Sequence, residues 1–239
     1  MTSSQPARSP DDERVVRRLL RAFRDRFGAS SGAEGDAVVA RAPGRVNLIG
    51  DHTDYNDGFV LPATIDRAVY VAARPRGDAR VRLHSSRFDE EVAYDLDAPP
   101  FDALPAWARY VAGVAEELRV RTGAATGFEA SICGTVPLGA GLSSSAALEV
   151  ATALALDGLL GLDLDPVETA RLCQHVEQTY VGVECGIMDQ FASRLGPAGH
   201  ALFLDCRSLD YDPVPLPFED ACLVLTDSRV SRELADSKY

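Results

Sequence analysis

Residues 137–147 read PLGAGLSSSAA, and the run continues as LEVATALALDGLL to residue 160. A Gly/Ser-rich loop therefore feeds a mostly apolar stretch long enough to be a buried helix. Gly139 and Gly141 let backbone N–H groups approach a ligand closely. The helix behind them presents unpaired N–H donors and the positive end of its dipole. That combination suits an anion, phosphate above all. Ser143, Ser144 and Ser145 add hydroxyls at the helix start, where one could reach a metal ion. No Gly-Lys-Ser/Thr closes the loop, so it is not a Walker A loop, and it lacks the strand-first GxGxxG spacing of dinucleotide folds. Taken alone, a Ser-capped helix after a Gly turn would look the same.

The flanking sequence sets the fold class. VNLIG, GFVLPATI, AVYVAARP, ARVRLHS and EVAYDL read as strands separated by turn residues. After Pro105, WARYVAGVAEELRVRT reads as an amphipathic helix and GFEASICGTV as a strand. DPVETARLCQHVEQTYVG reads as a helix with Asp165 at its N-cap and Pro166 at its first position. IMDQFASRLG suggests a short helix, and HALFLDC and ACLVLTD two more strands. Near the N-terminus, Asp11 and Asp12 are expected to cap a helix running to about Phe27, with Val15, Val16, Leu19, Leu20, Phe23 and Phe27 at helical spacing. The class is α/β or α+β. The expected organisation is a Ser/Pro-rich tail over 1–10, an N-terminal lobe over 11–200, and the start of a second lobe over 201–239.

Composition narrows the function. The 239 residues hold 24 Lys plus Arg against 36 Asp plus Glu, a formal net charge of −12. An acidic surface does not favour nucleic acid or anionic membranes. A phosphate site here must rest on local backbone donors and a metal ion. The five cysteines are dispersed, with no CxxC, and fit reduced thiols in a cytoplasm. The N-terminus has no apolar core of a secretory signal, and no apolar run is long enough to span a bilayer.

Two polar stretches complete the chemistry. Residues 42–62 read APGRVNLIGDHTDYNDGFVLP and crowd Arg45, Asn47, Asp51, His52, Asp54, Tyr55 and Asn56 into one segment. Such a density of donors and acceptors suits the directional hydroxyls of a sugar. A hairpin turn at 56–58 would explain Gly58 but not the Asp-His-x-Asp run. Residues 177–190 read EQTYVGVECGIMDQ. Mg²⁺ takes oxygen ligands, commonly one or two carboxylates plus substrate phosphates, so Glu177 is a plausible ligand, as well as a plausible exposed helix-face carboxylate.

These motifs carry a family resemblance. PLGAGLSSSAA resembles the second motif of the galactokinase, homoserine kinase, mevalonate kinase and phosphomevalonate kinase superfamily. GRVNLIGDHTDYN looks like the galactokinase signature, and CGIMDQ is similar to that family's catalytic segment. The resemblance implies a two-lobed fold whose N-terminal lobe is similar to a ribosomal S5 second domain, with the active site between lobes. It implies transfer of the ATP γ-phosphoryl group to the anomeric hydroxyl of D-galactose, with Mg²⁺ and no obligate protein partner. It places Pro137, Leu138, Gly139, Ala140, Gly141, Leu142, Ser143, Ser144 and Ser145 on the nucleotide, and Ser145 and Glu177 on the metal. It gives Asp189 the catalytic role, with Arg45 beside it at the reacting hydroxyl. Asp51, His52, Asp54, Gly186 and, in a weaker match, Tyr239 would bind the sugar.

The resemblance sets Asp189 beside Arg45, and the sequence sets it near a helix start. Asp189 is therefore expected to orient the hydroxyl and take the proton late, in keeping with a loose transition state. Asp51 stands where the family usually has Glu. The shorter side chain keeps open a related sugar kinase, acting for instance on N-acetylgalactosamine. A sensor that binds sugar and ATP without catalysis is a further alternative. The family's third motif, a Gly-rich segment of the C-terminal half, is not present. The 239-residue chain by itself is expected to be weakly folded and to have little activity.

Overall fold

The structure, a computed structural model, describes residues 9–28, 37–217 and 222–226. Two long strands organise it. β1 (Val38–Asn47) and β3 (Pro62–Pro75) run antiparallel from the Val38–Ala73 pair to the Asn47–Pro62 pair, with the short β2 (Phe59–Val60) in the connection. On β3, Val69, Val71 and Ala73 belong to one core and Ala68, Tyr70 and Ala72 to another. Successive side chains take opposite faces, and here both faces are covered, so AVYVA is apolar without interruption. GFVLPATI and AVYVAARP were expected as separate strands. From Pro62 they form one, because the exposed polar pair Asp66–Arg67 between them stays extended opposite a bulge in β1 and pairing resumes on either side. Of VNLIG, only Val46 and Asn47 lie in a strand.

β4 (Arg80–Ser85), β5 (Glu90–Asp95), β6 (Phe128–Gly134), β7 (His200–Asp205) and β8 (Tyr211–Pro215) complete an eight-stranded sheet. Its order is β2-β7-β3-β6-β4-β5, with β1 also on β3 and β8 on β7. β4 and β6 are parallel, and the remaining pairs are antiparallel. Residues 200–205, expected to open a second lobe, hydrogen-bond to β2 and β3 of this same sheet. The apolar run at ACLVLTD was expected as a strand, yet its described residues 222–226 are exposed and not in one. β-propensity makes a strand only where a ladder partner is available.

α1 (Pro10–Phe27) covers one face, setting Val16, Leu19 and Phe23 on Ala68, Tyr70 and Ala72. Its N-cap is Ser9, not Asp11 or Asp12. The Ser9 hydroxyl accepts from the Asp12 N–H at 3.1 Å, and the Asp12 carboxylate accepts from the Ser9 N–H at 3.3 Å. Pro10 explains the shift, since it fits the first helical position and holds the residue before it extended.

The other face carries α2 (Ala106–Thr122), α3 (Ser144–Leu160), α4 (Pro166–Val176) and α5 (Met188–Leu195). α3 is buried on almost every side, and its alanines 146, 147, 151, 153 and 155 are fully inaccessible. Small side chains let it lie close to β1 and β3 and carry the loop before it to the sheet. Asp165 caps α4 as expected, accepting from the Val167 and Glu168 N–H groups. The sequence suggests that this helix continues through 177–181. There the structure instead has a π turn, Glu177–Val181, closed by Gly182 at φ +82°. Among the described residues no helix is long and apolar enough to cross a membrane.

Candidate active site

A β-bulge between Pro43 and Arg45 interrupts the β1–β3 ladder. Bulges re-aim a side chain, and this one involves Gly44. A Cβ there would lie 2.6 Å from the Leu142 carbonyl oxygen, so only glycine lets the Gly/Ser loop settle on the strand. The Arg45 N–H donates to that carbonyl at 3.2 Å. Loop and arginine are therefore fixed to each other by backbone.

The Arg45 guanidinium then grips Asp189. Its Nε donates to Oδ1 at 2.7 Å and its Nη2 to Oδ2 at 2.8 Å, while Nη1 donates to the Gly141 carbonyl at 2.6 Å. Such a fork is specific to arginine. The Ser143 hydroxyl donates to Asp189 Oδ2 at 2.5 Å. Asp189 lies in the first turn of α5 and keeps part of its side chain accessible. One carboxylate is thus held by the sugar-loop strand, the phosphate loop and a helix start.

The loop itself has the geometry of an anion nest. Gly139, Gly141 and Ser143 are left-handed, at φ +68°, +70° and +57°, so the backbone turns over at every second residue and its N–H groups converge. α3 begins at Ser144 with no side-chain hydrogen bond capping its first turn, which leaves donors for a ligand. The loop serines have different partners. Ser143 faces Asp189, whereas Ser145 stands near Glu177 and Tyr110, close enough to act on both groups.

Glu177 is 2% exposed. It accepts from Gln190 Nε2 at 2.5 Å and from the Cys185 thiol at 3.6 Å. Burial, and then the charge of Asp189, push its carboxyl up to about 7. Its place at the head of a π turn follows a common pattern, since such turns often mark functional positions. Glu149 is buried one helical turn beyond Ser145, and burial and the Glu177 charge hold its carboxyl well above the usual range.

In the sugar loop the Thr53 hydroxyl donates to the Gly50 and Phe59 carbonyls at 2.8 and 2.7 Å, closing residues 50–59 on themselves. Asp54 turns inward against Gly186. Burial first, and then the charge of Asp189, raise its carboxyl, while Arg45 acts the other way. His52 is left-handed at φ +59°, and its Nδ1 pairs with the Tyr55 hydroxyl at 2.7 Å. Asp51 and His52 lie at the exposed rim, 3.8 Å apart. Of the residues expected at the site, the structure brings Arg45, Asp54, Gly141, Ser143, Ser145, Glu177, Gly186 and Asp189 together. Asp51 and His52 stand exposed on the same loop as Asp54, and Tyr239 lies outside the described residues.

A pocket of about 250 Å³ opens beside the phosphate loop, lined by Phe88, Trp107, Tyr110, Leu138, Ser144 and Ser145 among others. Trp107 is steadied by its indole N–H, which donates to Glu90 at 2.7 Å. Trp107 and Tyr110 in WARY lie on an ordinary helix face by spacing, and only the sheet brings Phe88 opposite them.

A nest at a helix start, an arginine-held carboxylate and this sheet are the features of a small-molecule kinase lobe. Residues 21–75 match the family model described as the galactokinase galactose-binding signature, and residues 109–197 match the GHMP kinases N terminal domain. Galactokinase-specific family models and galactokinases at about 50% identity thus both match this chain, over the N-terminal half of those relatives. It is similar to the galactokinase of Chloroflexus aurantiacus, 52% identical over 221 residues, which are 92% of this chain and 55% of that protein. It is 51% identical to the galactokinase of Chloroflexus aggregans over 201 residues, 84% of this chain and 51% of that one. It resembles the crystal structure of Lactococcus lactis galactokinase complexed with galactose, with a TM-score of 0.79 at 38% identity, over 86% of this chain and 53% of that one. The chain spans about half the length of the relatives it matches.

Proposed function

We propose that this chain carries the phosphoryl-transfer site of a galactokinase, which moves the γ-phosphoryl group of ATP to the anomeric hydroxyl of D-galactose, giving galactose 1-phosphate and ADP. The observation that carries the reading is the Asp189 carboxylate, gripped by Arg45 and touched by Ser143 at the junction of sugar loop and phosphate loop. Asp54 and Gly186 form the wall nearest that carboxylate and would receive the sugar. The galactose-bound relative supports galactose as the occupant.

The nest and the α3 N-terminus would bind the phosphates. The aromatic pocket next to them suits a planar purine ring. Asp189 would accept a hydrogen bond from the attacking hydroxyl and aim it at phosphorus. As the new O–P bond forms and the ADP oxygen leaves, the hydroxyl proton passes to an Asp189 oxygen, with Arg45 alongside. Alignment and charge neutralisation are most of what this reaction requires.

Mg²⁺ would be held by Ser145 and Glu177. These residues fit the ion, because Glu177 is a buried carboxyl group with the Ser145 hydroxyl nearby. Among the described residues no group of three His, Cys, Asp or Glu side chains could hold a metal unaided. That suits a cation whose shell is completed by phosphate and water. When bound, it offsets charge on the transferring phosphoryl group. The free thiols support a reducing compartment, and we take the cytoplasm as the place of action.

Release of ADP by the full-length protein with a panel of sugars tests this reading. Galactose should be the preferred acceptor. Preference for N-acetylgalactosamine would move the reading to a related sugar kinase, and binding of galactose without ADP release would make the protein a sensor.

A further inference from the structure

Next to the phosphate loop lies a polar cluster that the reaction described so far does not use. Gln190 follows Asp189 on α5 and is fully buried. Its Nε2 donates to Glu177 Oε2 at 2.5 Å and to Glu149 Oε2 at 3.2 Å. Glu149 is fully buried on α3, four residues after Ser145 and so on the same face of that helix. One amide group therefore ties α3, the π turn and α5 together directly behind Glu177.

We propose that Gln190 is a positioning residue for Glu177 and that Glu149 anchors Gln190, so that a buried carboxylate–amide–carboxylate chain fixes how Glu177 faces Ser145 and the phosphate loop. The cost of the arrangement argues for a role beyond packing. Gln190 Oε1 and Glu149 Oε1 are buried without a hydrogen-bond partner, and such orphans destabilise a core that apolar side chains could fill. What apolar side chains could not do is orient a carboxylate. Glu177 has two oxygens, and the Gln190 N–H and the Cys185 thiol, both on Oε2, constrain the carboxylate's rotation. Partners of this kind behind a metal ligand commonly change metal affinity by about 10–100-fold.

The proposal rests on the reading of Glu177 as a metal ligand, and its test separates the two. Mn²⁺ binding to the full-length protein with ADP, followed by electron paramagnetic resonance, needs no turnover. Glu177→Ala should weaken Mn²⁺ binding, and if it does not, the ligand assignment itself fails. Gln190→Met, which keeps size and removes both N–H donors, should weaken Mn²⁺ binding by about 10–100-fold while galactose affinity stays within about twofold. In a Glu177→Ala background the same change should cost little further, because Gln190 acts through Glu177. Glu149→Gln keeps an acceptor for the Gln190 amide and should bind Mn²⁺ nearly as the parent does. Unchanged Mn²⁺ affinity in Gln190→Met, or a full additive loss in the double variant, overturns the proposal. So does a tenfold loss in Glu149→Gln, which also keeps the test open if Gln190→Met does not fold.

Discussion

Asp54 packs against Gly186 so closely that a Cβ on residue 186 would fall 2.1 Å from Asp54 Oδ2 and 2.8 Å from the Asp54 backbone carbonyl carbon. The contact joins the sugar loop to the segment that delivers Asp189. Rotating the Asp54 side chain relieves the first clash but not the second. Gly186→Ala should therefore displace the loop and weaken galactose binding by at least about tenfold, with ATP affinity within a few-fold, both read by titration calorimetry. Equal loss of both ligands would point to general unfolding and against a local role.

Trp107 should separate the two ligands in the opposite sense. It lines the pocket beside Ser144 and Ser145, away from Asp54. Trp107→Ala should raise the Kd for ATP by about tenfold or more, the loss of one aromatic contact of about 1–3 kcal/mol, and leave galactose binding nearly unchanged. An unaffected ATP affinity would remove the base from this pocket.

Glu177 should leave a signature in stability. Its carboxyl is raised from 4.5 to about 7 in the folded chain, by burial first and then by the charge of Asp189. Between these two values the unfolded chain has released the proton and the folded chain keeps it. Folding takes up a proton there, so stability falls as pH rises across the window and levels off above about 7, by about 3 kcal/mol at most from this group. Urea denaturation at pH 5 and pH 8 with metal chelated should give the lower stability at pH 8. Glu177→Gln should reduce the difference, and an unchanged difference would contradict the assignment.

The sheet has its own buried charge. Glu129 on β6 accepts from Arg74 at 2.6 Å, Arg76 at 2.8 Å and Arg82 at 3.2 Å, and its side chain is 5% exposed. Arg74 and Glu129 are opposite each other in the β3–β6 ladder. Glu129→Ala removes the buried acceptor that Arg74, Arg76 and Arg82 share and should cost about 3–5 kcal/mol. The loss should appear in the denaturation midpoint, with the KM for galactose of the folded fraction unchanged.

The residues that meet around Asp189 were legible where a local pattern carried them. The polar run around Arg45 and Asp54 stood out by its composition, while the Gly/Ser loop, Gly186 and Asp189 became legible through their resemblance to family motifs. Residues whose role depends on distant neighbours were not legible. Trp107 and Phe88 gain meaning only when α2 and the β4–β5 end of the sheet converge. Ser143 reads as a phosphate contact, yet its left-handed backbone turns the hydroxyl onto Asp189. Glu149 carries its own signal, a carboxyl group among the alanines and leucines of a buried helix. β7 was recognisable as a strand but not as a neighbour of β2 and β3, because a period of two says nothing about pairing partners. The π turn at Glu177 has no sequence signature that distinguishes it from a continued α-helix.

Asp189→Asn is the most direct test of the central claim that one arginine-held carboxylate aligns the attacking hydroxyl. The amide keeps the shape but loses the charge and the capacity to receive the proton. Turnover of galactose by the full-length protein at saturating substrates should fall by at least about a thousandfold, about 4 kcal/mol in the barrier, while the Kd for ATP changes by no more than a few-fold. Near-normal turnover at saturation together with a collapse in ATP affinity would contradict the account.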